Sequence, residues 1–453
     1  MSGLFENLTM ATNSLLIQRM GMDVVGQNMA NINTPGYTRR SLELEALPPV
    51  DPLSAGRGVT VTEIHAMRDE LVEGRLRREQ SDTAHDAAMA EMIAAAEGAI
   101  GLPGQSLDAQ LTALFDAFAA LADDPTSMVA RDTVIRQGRE LSQAFADLSR
   151  NFSAVQSDAD RAVRVAVTDV NAITSELARL NVDIAQSSYD ADSIRDRQGV
   201  LLSELGKLTS IAVLPRSDGG VDVALPSGRA LVIGESAYPL ETTADAVTAV
   251  RLGDADVTAD FTGGRLGGLL QVRDSIIPGY TARLDQLAYD VATAVNALHA
   301  TGYDLDGNAA GTFFTAPAAV AGAASSLSMD AALLADSRRV AASATGAGGD
   351  NGIARSLSAL RDATLANGGT RSAHAAWSQI VYAIGGDAAS ARAAEHSHSQ
   401  IVLQLEQMRA QVSGVSYDEE AANLMRYQRA YEANARYFTT ILDTLDALME
   451  MVR

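Results

Sequence analysis

Apolar side chains recur at intervals of three or four residues, with one interval of seven, through the first 33 residues of the chain. The set is Leu4, Leu8, Ala11, Leu15, Met22, Val25, Met29 and Ile32. Such spacing predicts an amphipathic helix whose apolar stripe follows a near-heptad repeat. A helix of about 30 residues is about 45 Å long.

The segment Asn33-Thr34-Pro35-Gly36-Tyr37 is predicted to end this helix. Proline disfavours the helical conformation of the residue before it, which here is Thr34. Pro35 and Gly36 suit the two central positions of a type II turn, because glycine accepts the positive φ of the second one. We therefore predict a turn that reverses the chain, so that a second domain can begin.

Extended chain and then long helices follow the turn. Prolines, glycines and the alternating Val59 and Val61 predict extended chain with a short strand within residues 41–64. After Arg68 the chain is rich in helix-forming residues, and we predict long helices with breaks near residues 101–104 and 123–125.

A change of pattern at residue 211 predicts a small β-rich insertion that runs to about residue 262. Val221, Val223 and Leu225 alternate with polar residues before Pro226-Ser227-Gly228, as expected for a β-hairpin. Helical spacing returns at Leu269. Residues 301–352 are small and glycine-rich, which predicts loops and short elements.

The end of the chain repeats the pattern of its beginning. Apolar residues again advance by three or four, at Leu424, Tyr427, Tyr431, Ala435, Phe438, Leu442, Leu445 and Leu448. Neither terminal helix can bury its stripe alone, and each exposed apolar side chain forgoes about 1.5–3 kcal/mol. We expect the two helices to pair with each other or with neighbouring subunits.

These patterns predict a mainly α fold with a terminal coiled coil, a bundle of long helices and a small β-rich insertion. The predicted domains are a terminal coiled coil of residues 1–45 and 414–453, a helical bundle of residues 46–208 and 265–413, and an insertion of residues 209–264.

Composition narrows the classes of function. Acidic residues outnumber basic ones by 57 to 35, and the net charge of −22 disfavours nucleic acid and membrane surfaces as partners. The absence of cysteine excludes thiolate catalysis and Cys-ligated zinc. The beginning of the chain lacks the pattern of a cleaved signal peptide, and no stretch of about 18 apolar residues predicts a membrane span.

Four local patterns suggest chemistry and have simpler explanations. His396 and His398 lie two residues apart, so a helix directs them to different sides, and we predict no metal site. The residues of 304–308 resemble a calcium loop, but the glycine and the final glutamate are misplaced, which favours an acidic turn. The glycine-rich run 263–268 lacks a Gly-Lys-Ser/Thr ending, and we predict a flexible return to the helical domain. The mixed charges of residues 68–79 predict a solvated helix face, with an ion pair between subunits as the alternative.

No catalytic residue or cofactor is predicted, because no histidine has a motif-placed serine and acid. Trp377, the only tryptophan, is interpreted as a core residue. An enzyme with an unrecognised site stays open as a hypothesis, and it predicts a deep polar pocket with strongly shifted pKa values.

Two segments at opposite ends of the chain carry a family resemblance. Residues 30–39, Ala-Asn-Ile-Asn-Thr-Pro-Gly-Tyr-Thr-Arg, resemble the N-terminal signature of flagellar rod, hook and hook-associated proteins. Residues 413–431 resemble their C-terminal signature. The interior resembles the hook-associated protein 1 family, in the residues Gly264-Arg265-Leu266-Gly267-Gly268-Leu269-Leu270, Arg273-Asp274, Asn296, His299, Gly302-Tyr303-Asp304-Leu305-Asp306-Gly307 and Phe313-Phe314.

The resemblance implies a structural subunit of the junction between flagellar hook and filament. It implies a ring of copies of this chain within a hollow helical tube, in contact with hook protein and with the second hook-filament junction protein. It also implies type III export to the cell exterior, with a cytoplasmic chaperone bound to the C-terminal helix. The family often has a larger or second β-rich insertion, so any function of that outer domain is not carried over.

Two sets of residues are assigned to assembly. The terminal coiled coil is assigned to Leu4, Leu8, Leu15, Met22, Val25, Met29, Leu424, Tyr427, Tyr431, Phe438, Leu442 and Leu445. The family's turn motif corresponds to Asn31, Asn33, Thr34, Pro35, Gly36 and Tyr37. We expect the terminal helices to be mobile in the free monomer and ordered by assembly. The alternatives are another axial flagellar protein of hook or rod type and a non-flagellar coiled-coil structural protein.

Overall fold

The computed structural model describes residues 2–48, 57–101, 106–187, 191–245 and 247–451, and the statements below refer to these. The fold is mainly α with small antiparallel sheets, which confirms the predicted fold class. The chain divides into two compact units. The first unit contains Met1–Ser81, Asn171–Pro239 and His398–Arg453, and the second contains Asp82–Val170 and Leu240–Ser397. The domain boundaries given above stay a prediction.

Helices account for both ends and most of the interior of the described chain. They are α1 (Ser2–Ala30), α2 (Glu70–Ala99), α3 (Leu107–Asp123), α4 (Met128–Gln186), α5 (Ala191–Leu208), α6 (Gly264–Gln271), α7 (Ile277–His299), α8 (Ala323–Ser326), α9 (Ala331–Ala335), α10 (Gly352–Ala359), α11 (Ala373–Ser413) and α12 (Tyr417–Met451). A π-helical turn, Val272–Ile276, lies between α6 and α7. The break predicted near residues 123–125 is confirmed, whereas residues 102–104 of the other break lie outside the described residues.

The strands form three small antiparallel sheets within the described chain. They are β1 (Arg40–Ala46) with β2 (Val59–Ala66), then β3 (Ala212–Pro215), β4 (Val221–Ala224), β5 (Ala230–Ile233) and β6 (Ser236–Ala237), and finally β7 (Leu240–Thr242), β8 (Val250–Leu252) and β9 (Ala255–Asp256). The single short strand predicted within residues 41–64 is therefore a two-stranded hairpin. The hairpin predicted around Pro226 is confirmed as β4 and β5, and Gly228 in its turn has a φ of +86°.

In the first unit, one buried amide joins the end of α4 to the sheet of β3–β6. Asn181 Nδ2 donates to the carbonyl oxygens of Val221 at 2.8 Å and Gly234 at 2.7 Å. Its Oδ1 accepts from Val221 N at 2.9 Å and from Gln198 Nε2 on α5 at 3.0 Å. Because every polar atom of this amide is bonded, the sheet is held at one position on the two helices.

The second unit contains a continuous hydrophobic core. It is built from α3, α4, α7, α10 and α11, with residues such as Leu111, Phe118, Phe145, Phe152, Val291, Phe313 and Trp377. Trp377 is buried, which confirms its interpretation as a core residue. The rings of Phe118 and Phe313 lie 5.3 Å apart, and those of Phe313 and Phe314 lie edge to face at 4.8 Å. Such aromatic pairs contribute beyond the area that they bury.

Two polar residues of α7 hold the glycine-rich segment 301–352 onto this core. Asn296 Oδ1 accepts from the backbone N–H groups of Phe313 at 2.9 Å and Phe314 at 2.8 Å. His299 Nδ1 donates to the carbonyl oxygen of Gly311 at 2.8 Å, and His299 Nε2 accepts from Ala341 N at 2.9 Å. Both ring nitrogens are therefore bonded, and the ring is neutral with its proton on Nδ1.

Acid is expected to destabilise the second unit through His299. Burial lowers the pKa of His299 to about 4, from an ordinary value of 6.5. Between these values the unfolded chain binds a proton that the folded chain does not, so this part of the stability is present above pH 6.5 and is lost as the pH falls towards 4. The difference corresponds to roughly 3 kcal/mol. Urea unfolding followed by Trp377 fluorescence at pH 7 and at pH 4.5 measures it.

His299→Gln provides the control for this prediction. Glutamine can donate to the Gly311 carbonyl and accept from Ala341 N, but it does not titrate. The loss of stability between the two pH values should therefore be smaller in the variant. An equal loss in both proteins would exclude His299 as its source.

The glycine-rich run at residues 263–268 is not a flexible return, and that prediction is wrong. Its residues from Gly264 onward form α6, and Gly267 and Gly268 are buried. A Cβ on Gly267 would lie 2.9 Å from the Thr262 carbonyl carbon, and one on Gly268 would collide with the carbonyl oxygen of His85. Glycine has no Cβ, so the backbone of α6 can pack directly against other backbone at these two positions. The glycines therefore belong to a packed helix and not to a loop.

Candidate assembly site at the two termini

Asn28, near the end of α1, connects three parts of the first unit. Its side chain is buried, and its Nδ2 donates to the Arg40 carbonyl oxygen at 2.9 Å and to Glu420 Oε2 at 3.1 Å. Its Oδ1 accepts from the Tyr37 hydroxyl at 2.8 Å and from Arg40 N at 3.0 Å. The end of α1 is thus bonded to the first residue of β1 and to the first turn of α12.

Glu420 supplies the charge at this point and is only 1% exposed. Its Oε1 accepts from Arg39 Nε at 2.9 Å and lies 2.8 Å from Arg39 Nη2. The backbone N–H of Arg39 also donates to the Ser413 carbonyl oxygen at 2.9 Å, just before α12. We name the group Asn28, Tyr37, Arg39, Arg40 and Glu420 the terminal junction, because it joins residues from both ends of the chain.

The turn between α1 and β1 has the geometry predicted for it. Tyr37 N donates to the Thr34 carbonyl oxygen at 3.2 Å, and Gly36 has a φ of +78°. A Cβ on Gly36 would also collide with the side chain of Val200 on α5. Asn31 belongs to the same turn, since its Oδ1 accepts from the Thr34 hydroxyl at 3.1 Å. Asn33 and Pro35 lie within it.

Tyr37 connects the turn to the terminal junction. Burial raises the pKa of its hydroxyl, an effect that the neighbouring Arg40 partly offsets. The Arg40 guanidinium carbon lies 5.4 Å from the centre of the Tyr37 ring. The Tyr37 hydroxyl is therefore neutral and donates to Asn28. Tyr37 was assigned from the sequence only to the turn, and this contact was not predicted.

Helices α1 and α12 pack against each other within the first unit. Gly21 is buried on α1, and a Cβ there would lie 2.5 Å from Cε1 of Tyr427. The fully buried apolar side chains of α1 are Ala11, Ile17, Val24 and Val25. Ile441 is buried on α12.

Two glycine substitutions on α1 are expected to have opposite effects. Gly21→Ala should weaken the pairing of α1 with α12, because the Tyr427 ring must move. Gly26→Ala should stabilise α1 by up to about 1 kcal/mol, because alanine favours helix and no atom lies within 4 Å of its Cβ position. Thermal unfolding followed by circular dichroism measures both effects, and the same loss of stability in both variants would contradict close packing at Gly21.

The structure places the residues assigned to the coiled coil at different depths. Val25 is buried, whereas Leu4, Leu8, Leu15, Met22, Met29, Leu424, Tyr427, Phe438 and Leu445 are half-buried. Tyr431 and Leu442 are exposed, as are Ile32 and Leu448 of the same two stripes. The assignment of these residues to assembly stays a prediction.

Several residues at this site were absent from the sequence assignment. On α1, the buried positions Ile17, Gly21, Val24 and Asn28 follow steps of four, three and four, which is a second stripe beside the predicted one. Two of its four members are a glycine and an asparagine, so a search for apolar side chains passes over it. Glu420 and Arg39 carry no periodic signal at all.

Two of the other patterns with suggested chemistry can be located among the described residues. Asp304 Oδ1 accepts from the N–H groups of Asp306 at 2.9 Å and Asn308 at 2.8 Å, which is the predicted acidic turn. His398 Nδ1 lies 2.9 Å from Glu79 Oε2, whereas His396 is exposed. Among the helices described, none is both long and apolar enough to cross a bilayer.

Comparison with known families gives two matches. Residues 93–314 match the model of the helical domain of the flagellar hook-associated protein FlgK. Residues 407–451 match the model of the C-terminal region of the flagellar basal body rod proteins FlgEFG. The second match covers α12 and the residues just before it, and so includes the C-terminal side of the terminal junction.

Comparison with individual proteins gives matches over the full length. Flagellar hook-associated protein 1 of Bacillus subtilis is 26% identical, over 99% of this chain and 98% of that protein. The Escherichia coli protein of the same name is 22% identical over 100% of both chains. The solved structure of the flagellar hook junction protein FlgK from Burkholderia pseudomallei superposes with a TM-score of 0.68 at 17% identity, over 75% of this chain and 100% of that one.

Proposed function

Because the chain belongs to the flagellar hook-associated protein 1 family and is a structural component of the bacterial flagellum, we propose that it forms the ring that joins the hook to the filament. In this proposal the ring is one layer of a hollow helical tube. Its neighbours are other copies of the chain, hook protein on one side and the second hook-filament junction protein on the other. The role is mechanical and involves no catalysis.

The observation that carries the proposal is the surface left by the pairing of α1 with α12. The two helices share the terminal junction, yet many of their large apolar side chains stay exposed in the single chain. These are Phe5, Leu16, Met425, Tyr431, Tyr437, Leu442, Leu448, Met449 and Met451. Each such side chain contributes about 1.5–3 kcal/mol when it is fully buried, which favours covering this surface with neighbouring subunits.

Ordering of the terminal helices on assembly follows from the same surface. A helix pair with much exposed apolar surface offsets less of its ordering entropy alone than in a polymer. We therefore propose that polymerisation and the stability of these helices are coupled. Limited proteolysis of the free monomer should cut within residues 1–40 and 420–453, and protection of both segments in the monomer would contradict the coupling.

Export through the type III apparatus is part of the proposal. A cytoplasmic chaperone that binds α12 would cover its exposed apolar side chains before export. Deletion of residues 417–453 should abolish binding of the chaperone to the chain, whereas deletion of residues 2–30 should leave binding intact. Equal binding after both deletions would place the chaperone elsewhere.

Deletion of the gene tests the main proposal. Cells should produce hooks without attached filaments and release filament protein into the medium, and the gene in trans should restore motility. Absence of hooks would favour a protein of the rod or hook type. Unchanged motility would favour a structural role outside the flagellum.

A further inference from the structure

The β1–β2 hairpin exposes both of its faces at mid-length. Leu44 is 44% exposed and Ile64 is 37% exposed on one face. Glu43, Glu45 and Glu63 are exposed on the other face. A two-stranded hairpin is marginally stable by itself, so an exposed ribbon of this kind gains from being covered.

The charged face of this hairpin brings glutamate carboxylates close together without a positively charged partner from the described residues of the same chain. Glu43 and Glu63 are directly opposite each other in the register of β1 and β2, and like charges at such positions are destabilising. Glu45 lies on the same side of its strand as Glu43. Within the described part of the chain, none of the three carboxylates forms an ion pair. We name these three residues the acidic face.

A complementary surface lies on the first three turns of α2. Leu71, Arg75 and Arg78 are spaced by four and three residues, which places them on one side of the helix. Leu71 is 81% exposed, and both arginines are exposed. Arg77, on the same turns, pairs with Glu73 at 3.8 Å, but in the described chain neither Arg75 nor Arg78 has a carboxylate partner. We name these three residues the arginine stripe.

We propose that the acidic face of one copy of the chain binds the arginine stripe of a second copy. Both surfaces lie in the first unit, and they are opposite in charge and different in structure. A contact between two unlike surfaces of the same protein repeats head to tail and generates rings or helical tubes. The inference therefore rests on the proposed polymerisation and adds to it a lateral contact outside the terminal helices.

The chemistry of the two surfaces accounts for the choice of a second copy as partner. Arginine binds carboxylates through a planar fork of donors, and Arg75 and Arg78 are one turn apart, so they can approach the opposed pair Glu43 and Glu63. Leu71 continues the stripe with an apolar side chain. Exposed ion pairs are individually weak and are screened by salt, so this contact orients neighbouring copies more than it holds them together.

Cross-linking tests the contact directly, because the chain has no cysteine. Two variants, Glu43→Cys and Arg78→Cys, are expressed together in one strain, and detached flagella are treated with a short bismaleimide. A covalent dimer containing one chain of each kind is expected, which differently sized tags on the two chains identify. Glu43→Cys with Arg355→Cys, and Glu235→Cys with Arg78→Cys, are matched exposed controls that should give no such dimer.

The alternative partner for the acidic face is the arginine row Arg426, Arg429 and Arg436, which lies on one side of α12. A dimer of Glu43→Cys with Arg429→Cys, without one to Arg78→Cys, would overturn the inference. Absence of every mixed dimer in strains whose filaments are attached would also overturn it, while leaving the proposed function intact. Normal filament attachment in a strain without the gene would overturn the proposed function itself.

Charge reversal gives a second readout that does not depend on cross-linking. Glu43→Arg with Glu63→Arg should lower the fraction of hooks that carry filaments by about tenfold, and Arg75→Glu with Arg78→Glu should do the same. Combining all four changes should restore attachment to within about threefold of the natural protein, because the two surfaces become complementary again. Failure of the combination to improve on either pair would count against the contact.

Discussion

Replacement of Glu420 by glutamine is expected to weaken the terminal junction by about 3 kcal/mol and to leave most hooks without filaments. The Glu420 carboxylate is 1% exposed and accepts hydrogen bonds from both Arg39 and Asn28. Glutamine has the same shape but no charge, and it turns an NH₂ group towards one of these donors. Arg39 then keeps only the exposed Glu419 as a counter-ion, and the loss of the buried one sets the size of the effect.

Glu419→Gln is the matched control for this change. Glu419 precedes Glu420 on α12 and also pairs with Arg39, at 3.1 Å, but its side chain is 63% exposed. An exposed ion pair contributes about 0–1 kcal/mol, so Glu419→Gln should leave filament attachment nearly unchanged. Electron microscopy of hooks in the two strains measures the difference, and the amount of variant chain in the medium checks that export is intact. Similar results for both variants would mean that burial of Glu420 does not matter for assembly.

The terminal helices are the part of the fold that the sequence predicts best. Their apolar periodicity is local, since each step of three or four residues is visible in the printed chain, and it predicted α1 and α12 correctly. The Pro35-Gly36 turn was predictable for the same reason, because the two residues restrict the backbone wherever they occur. Periodicity alone left open which side of each helix contacts the other, and the structure adds the buried positions Ile17, Gly21, Val24 and Asn28 of α1 to the predicted stripe.

The terminal junction could not be predicted from the sequence. Asn28 and Glu420 are 392 positions apart, and neither belongs to a pattern that indicates a partner. Their contact depends on the register of two helices and on a buried hydrogen bond, which are properties of the folded chain. The signature segments at the two ends pointed to the region, but not to the chemistry by which they meet.

The error at residues 263–268 has a physical origin. The run of glycines was interpreted by its flexibility. In α6, glycine is instead required by a close approach of backbone, at Thr262 just before the helix and at His85 on α2. The local preference of glycine was overruled by packing there. Within residues 41–64 the prediction of extended chain is confirmed by β1 and β2, and only the number of strands differs.

Removal of Asp160 is expected to have the largest effect on the second unit. Asp160, on α4, accepts from Thr248 N at 2.9 Å, the Thr248 hydroxyl at 2.8 Å and Arg273 Nη1 at 2.9 Å. Arg273 lies on the π-helical turn and is 2% exposed, and it also donates to the Thr248 carbonyl oxygen at 2.6 Å. The Asp160 carboxylate therefore connects α4 to the chain at Thr248 and to the π-helical turn at Arg273.

Asp160→Ala should lower the free energy of unfolding by about 3 kcal/mol, because it leaves the buried N–H and hydroxyl groups of Thr248 without their acceptor. It also removes one of the two carboxylates that pair with the buried Arg273, which keeps Asp274. Asp158→Ala is the matched control. Asp158 lies two residues earlier on α4 and pairs with Arg161, but its side chain is 52% exposed, so a loss of at most about 1 kcal/mol is expected. Urea unfolding followed by the fluorescence of Trp377, the only tryptophan and a core residue of the same unit, measures both.

The dependence of this effect on pH separates Asp160 from His299. Burial alone would raise the pKa of Asp160, but hydrogen bonds from Thr248, Arg164 and Arg273 outweigh it, and the pKa lies below its ordinary value of 3.8. A lowered carboxylate pKa contributes stability that is present above pH 3.8 and is lost as the pH falls below it. The difference between the natural protein and Asp160→Ala should therefore stay constant from pH 7 to about 5 and shrink only in stronger acid, whereas the His299 contribution already declines below pH 6.5. If the Asp160→Ala difference declined in step with that of His299, the buried pair with Arg273 would not be its source.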